Sequence, residues 1–185
     1  MVDVSKVMTD ELLIEGILEG NEEAFEELVE RYGRMVYRVA YRITGSHQDA
    51  DDVMQETFLK VFRSIGRFRR ESNVETWIYR IALNCALNLA RTKKEEPLDE
   101  GMDPVTMRVS DNPERRLERV ELSEAISNAI DKLPPQQRAV VILHDMEGLT
   151  HAQISRILNC SEGTVKSRLH HARRKLRKFL KPYLG

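Results

Sequence analysis

At 185 residues the chain has room for one domain or two small ones, and its 29 basic and 30 acidic side chains cancel to a formal charge of −1. That balance, taken as a sum, argues against a polyanion partner, and no apolar run approaches the ~18 residues of a membrane span. The opening MVDVSKVMTDELLIEG lacks the basic and apolar regions of a signal peptide, so a cytosolic chain with Cys85 and Cys160 as reduced structural thiols is expected.

The charge is segregated. Residues 1–65 carry 7 basic and 14 acidic side chains, 66–94 carry 7 and 2, 95–149 carry 6 and 13, and 150–185 carry 9 and 1. Two separated basic stretches point to two contacts with a polyanion. Nearly every segment has helical period and none alternates like a strand, which predicts an all-α fold of two small helical domains joined by a flexible linker.

In chain order, Thr9 caps a first helix ending near Gly20, and Asn21 caps a second with Phe25, Leu28, Tyr32, Val36 and Ile43 inward. Gly45 and Ser46 separate it from a third helix, His47 to Ile65. There a projection at about 100° per residue turns Ala50, Val53, Thr57, Val61 and Ile65 inward and Asp49, Asp52 and Glu56 outward. Leu59 falls among Asp52, Gln55, Glu56 and Lys60, an apolar side chain in a polar rim as a helix interface requires. The bland alternative is a solvated acidic face with one exposed leucine.

A loop at Gly66 to Asn73 leads to a fourth helix, Val74 to Thr92. One side, with Ile78, Ala82, Cys85 and Leu89, packs. The other carries Trp77, Arg80, Asn84, Asn88 and Arg91, which combine stacking, base-edge and phosphate-binding groups. Trp77 borders the apolar arc through Ile81, so core packing is its favoured role. Lys93 to Pro113 holds three prolines, one glycine and no apolar period, and reads as the linker. Helices then run from Glu114 to Leu133, ahead of Pro134 and Pro135, and from Gln136 to Met146.

The remainder reads as a helix-turn-helix. Thr150 and Gln153 form a capping-box start, and Ile154, Ile157 and Leu158 a short apolar stripe. Asn159, Cys160 and Ser161 make the turn, and Val165, Leu169, Ala172, Leu176 and Leu180 the packed side of the second helix. Lys166, Ser167, His170 and His171 lie toward its N-terminal half, able to reach base edges, while Arg168, Arg173, Arg174 and Lys175 suit phosphates. Lys178 and Lys181 read as solvated. Adjacent histidines diverge by about 100° on a helix, so His170 and His171, with His151 and Cys160 nearby, do not suggest a metal site.

Three stretches, DADDVMQETFLKVF (49–62), TWIYRIALN (76–84) and EGTVKSRLHHAR (162–173), in this order and with a linker before the third, resemble the extracytoplasmic-function (ECF) sigma factors of bacterial RNA polymerase, in the sigma-70 family. The resemblance spans nearly the whole chain. It implies a region 2 domain over 1–92, a linker over 93–113 and a region 4 domain over 114–185. It also implies core polymerase, promoter DNA and an anti-sigma factor as partners, with no cofactor and no catalysis. The core-binding residues it implies are Asp49, Asp52, Gln55, Glu56, Leu59 and Lys60, facing the coiled coil of the largest subunit. For −10 and single-strand DNA it implies Phe68, Arg69, Arg70, Ser72, Asn73, Arg80, Asn84, Asn88 and Arg91, with Asn84 and the loop 68–73 forming a pocket for a flipped base. For the −35 element it implies Thr164, Lys166, Ser167, Arg168, His170, His171, Arg173 and Arg174. The chain departs from the pattern at Asn159, where a turn glycine is common, at Gln153, Ile154 and Ser155 in place of Glu-Ile-Ala, at His171 for arginine, and at Arg70 and Val74 for a glycine and an aromatic.

A helix-turn-helix regulator that never enters the polymerase holoenzyme would account for the C-terminal third only. An enzyme would need a nucleophile and base, a phosphate-cradling loop or a ligand cluster, none of which stands out.

Overall fold

A computed structural model describes residues 8–68, 72–95 and 113–183. The described residues are helical with no strand. The N-terminal half consists of α1 (Asp10–Leu18), α2 (Glu22–Thr44), α3 (His47–Ser64) with a 3₁₀ turn over Ile65–Arg67, and α4 (Val74–Glu95). The C-terminal half consists of α5 (Pro113–Asp131), α6 (Pro135–Val141) continued by a π-helical turn Ile142–Met146, α7 (His151–Leu158) and α8 (Glu162–Leu180).

Local chemistry sets these boundaries. Thr9, Asn21, Ser46 and Ser161 each accept a backbone N–H three residues on, relieving the orphan donors of a helix start. Thr150 and Gln153 complete a reciprocal capping box at 3.2 and 2.9 Å. Gly45 ends α2 at φ +73°, and Asn159 ends α7 at φ +49°, where its short side chain makes the left-handed backbone tolerable. Pro135 sits in the first turn of α6, where its missing N–H is harmless.

In the N-terminal half α2, α3 and α4 bury Leu28, Val36, Val39, Val53, Val61, Ile78 and Ala82, and α1 adds Leu13 and Ile17. In the C-terminal half Val140, Ile142 and Leu143 meet Ile154 and Ile157 of α7 and Val165, Leu169 and Ala172 of α8. Arg138, 5% exposed, pairs with the Asp131 carboxylate at 3.1 Å and donates to the Asp131 carbonyl, tying the end of α5 to α6. The halves are in contact: α7 lies on α4, the π-helical turn meets α2, and the buried side chains form one continuous cluster.

Two expectations are corrected by a single ion pair. Asp49, placed on the outer face of the third helix, is buried at 6% exposure and accepts from Lys93 Nζ at 2.6 and 2.9 Å. Lys93, assigned to the linker, is helical, because α4 continues to Glu95. The first turn of α3 faces the last turns of α4, so opposite charges meet there and Asp49 turns inward. The rest of the expected linker, 96–112, lies outside the described residues. The helix expected through Met146 widens into a π-helical turn after Val141, with the Glu147 N–H bonded to the carbonyl of Ile142, five residues back, at 2.9 Å.

Candidate polymerase and promoter surfaces

On α3, Leu59 is 49% exposed, with Asp52, Gln55 and Glu56 exposed around it, and Lys60 pairs with Glu56 at 3.1 Å. That side-chain hydrogen bond raises the Lys60 pKa, opposed by burial. An apolar knob ringed by carboxylates, an amide and an ammonium group is chemically suited to a partner helix. Asp49 is not part of this surface.

The second surface lies on α4. Asn84, Asn88 and Arg91 are exposed at helical spacing, while Arg80 is engaged elsewhere. Its guanidinium donates to the carbonyls of Arg156 at 2.8 Å and Ile157 at 3.2 Å, satisfying acceptors at the negative end of α7. Phe68 packs against Trp77 with ring centroids 5.0 Å apart, so both rings help to close the core. Asn73 accepts from the Thr76 N–H at 2.9 Å and caps α4, and Ser72 is half-buried beside it. Arg69 and Arg70 lie outside the described residues.

The third surface is the outer side of α8, whose helix is fixed by Val165, Leu169 and Ala172 on the opposite side. Lys166, Ser167, His170, His171, Arg173 and Arg174 are exposed. Thr164 is half-buried, its hydroxyl 2.9 Å from that of Ser161, and Arg168 leans back toward Cys160 Sγ at 3.7 Å. Arg173 binds both oxygens of Asp145. Burial pushes the Asp145 carboxyl up, but hydrogen bonds from Arg173 and His144 outweigh it and hold the group below its ordinary value. Replacing Asp145 with alanine is expected to release Arg173 and steepen the salt dependence of duplex binding by about 0.9 in logarithmic slope, one added phosphate contact. Titrations across a salt series check this, and an unchanged slope would show that Arg173 reaches no phosphate.

Sequence reasoning missed Glu147. The π-helical turn projects its side chain, 2% exposed, onto α2 and α4, where it accepts from Arg38 Nε at 2.9 and 3.2 Å, from Arg42 Nη1, and from the Tyr79 hydroxyl at 3.4 Å. Burial, reinforced by the Glu147 charge, pushes the Tyr79 phenol up to about 12, so it remains a neutral donor. The partners are separated by up to 109 residues, and no spacing in the sequence announces them.

Sigma-70 region 2 matches residues 28–96 and sigma-70 region 4 matches residues 123–176. The ECF RNA polymerase sigma-E factor of Escherichia coli is 32% identical over 189 residues, covering 97% of this chain and 98% of its own. The chain belongs to the ECF sigma factors. This sigma factor is also 39% identical over 142 residues to the ECF RNA polymerase sigma factor SigE of Mycolicibacterium smegmatis, covering 75% of the chain but spanning only 54% of that relative. Among solved structures, CnrH in complex with the cytosolic domain of CnrY superposes on the sigma factor with a TM-score of 0.67 at 26% identity, over 94% of this chain and 97% of that one. RpoE from Bartonella quintana, solved with the anti-sigma factor NepR, shares the fold at a TM-score of 0.60 and 21% identity, over 85% of this chain and 96% of its own. No described helix is long and apolar enough to cross a membrane.

Proposed function

We propose that this sigma factor joins core RNA polymerase, directs it to promoters with particular −35 and −10 elements, and promotes opening of the duplex. In this reading the N-terminal half, α1 to α4, holds core enzyme and the −10 element, and the C-terminal half, α5 to α8, reads the −35 element. The protein works in the cytoplasm and catalyses no reaction of its own. The observation that carries the reading is Leu59, half-exposed in a polar rim on α3, in the same chain as an exposed recognition face on α8. A helix-turn-helix regulator acting alone has no use for the first. Asn84, Asn88 and Arg91 supply amides and a guanidinium for a separated strand, where capture of an extruded base offsets the few kcal/mol of unstacking. The solved relatives bound to other proteins, one of them to an anti-sigma factor, support control by a partner that competes for these surfaces.

The test is transcription from genomic DNA by core enzyme with and without the purified chain, with start sites mapped. New starts sharing one −35 and one −10 sequence are expected. Ser167→Ala and His171→Ala each shift the preferred −35 bases without changing the −10 bases, because both residues are exposed on α8. A profile identical to that of core enzyme alone would refute the function, and unchanged −35 preference in both variants would refute the assignment of those residues.

A further inference from the structure

The outward side of α2 has no role in the functions above, and its chemistry changes abruptly along its length. Residues 22–30 hold five glutamates, whereas residues 31–44 hold four arginines, three tyrosines and no acid. Projected at about 100° per residue, Arg34, Arg38 and Arg42 make one row, and Tyr37 and Tyr41 a second beside it. The two tyrosine rings are nearly parallel, 5° apart with centroids at 6.4 Å, and Tyr41 stacks on His47 at 4.5 Å. Gly33 and Met54 complete an open groove along the rings.

We infer that this stripe is a second site for single-stranded nucleic acid, and that in the closed chain Glu147 holds two of its arginines, Arg38 and Arg42, as an intramolecular substitute for a phosphate. Flat aromatic faces accept any base, and a row of guanidiniums tracks a phosphate backbone. Glu147 presents to Arg38 and Arg42 the acceptor oxygens a phosphate would present. The same carboxylate accepts from Tyr79, the neighbour of Arg80 on α4, so the stripe and the α4 face meet where the C-terminal half sits. Glu147 and α7 are joined through Gly148, Leu149 and Thr150. Lifting that half away therefore frees Arg38, Arg42 and Arg80 together and joins the stripe to Asn84, Asn88 and Arg91. The inference rests on the reading of α4 as the surface for a separated strand. An acidic peptide would satisfy the arginines but make no use of the ring faces that line the open groove.

The test uses the full chain, a fluorescein-labelled thymidine oligonucleotide and fluorescence anisotropy. Glu147→Lys repels Arg38 and Arg42, and opening is read independently as an increase in radius of gyration by small-angle scattering. The open variant is expected to bind the oligonucleotide about tenfold more tightly than wild type, with a salt slope steeper by roughly 2, or ~0.7 for each of three freed guanidiniums. Adding Arg34→Ala or Tyr37→Leu removes most of the gain. A gain that survives both additions, an open variant with no gain, or a variant that stays closed each overturns the inference. Tighter binding of poly-glutamate than of the oligonucleotide also overturns it, assigning the stripe to a protein partner. Wild-type association with core enzyme, measured alongside, reports separately on the sigma-factor function.

Discussion

Asp52→Ala combined with Leu59→Ala is expected to weaken association with core RNA polymerase by at least roughly thirtyfold. The two side chains lie on the same exposed side of α3, two turns apart, and Leu59 is the apolar centre of that surface. Truncating two such anchors removes about 1 kcal/mol or more from each, and 1.4 kcal/mol is a factor of ten. The fold should tolerate the change, since surface substitutions away from packed features move stability by about 0.5 kcal/mol or less. Asp49→Ala is the informative control. Its carboxylate is engaged by Lys93, so its loss should lower the thermal midpoint while leaving core affinity nearly intact. Titration of labelled protein against core enzyme, with thermal melts of the same samples, separates the two. Unchanged core affinity in the double variant would remove the α3 surface from the interface.

Asn84→Ala is expected to reduce stable promoter opening by about five- to a hundredfold while leaving core association and −35 duplex binding within twofold. An amide pairing with a base edge contributes roughly 1–3 kcal/mol, which is that range. Asn84 is exposed on α4 and its side chain makes no hydrogen bond among the described residues, so its replacement leaves the helix intact. Permanganate reactivity of unpaired thymines reads opening directly. Full reactivity in the variant would show that the base is held by other groups. Arg80→Ala differs in kind, because Arg80 also satisfies two carbonyls of α7. It should loosen the contact between the two halves as well as any hold on DNA.

Much of the candidate site was legible because its cues are local. Leu59 shows itself by standing out of register with Val53, Thr57 and Val61, all buried, and the exposed side of α8 follows from the burial of Val165, Leu169 and Ala172. The Tyr37 and Tyr41 row is equally accessible to projection, but the contact of the adjacent Arg38 and Arg42 with Glu147 depends on packing that no spacing shows. The inward turn of Asp49 was not legible. A charge in the first turn of a helix is satisfied by the helix itself, and nothing nearby in sequence says that Lys93 will stand opposite.

By itself, then, the sequence determined where the capped helices begin and which side of each is apolar, since caps, left-handed turn residues and a 3.6-residue period act within a few positions of one another. Only the tertiary structure decided which outward charges remain available. Asp49 is taken by Lys93, Arg173 by Asp145, Arg80 by the end of α7, and Arg38 and Arg42 by Glu147. Those pairings join residues 28 to 109 positions apart. A charged side chain carries no local mark of its partner; the choice is made when packing brings two helices together and leaves one carboxylate facing one particular guanidinium.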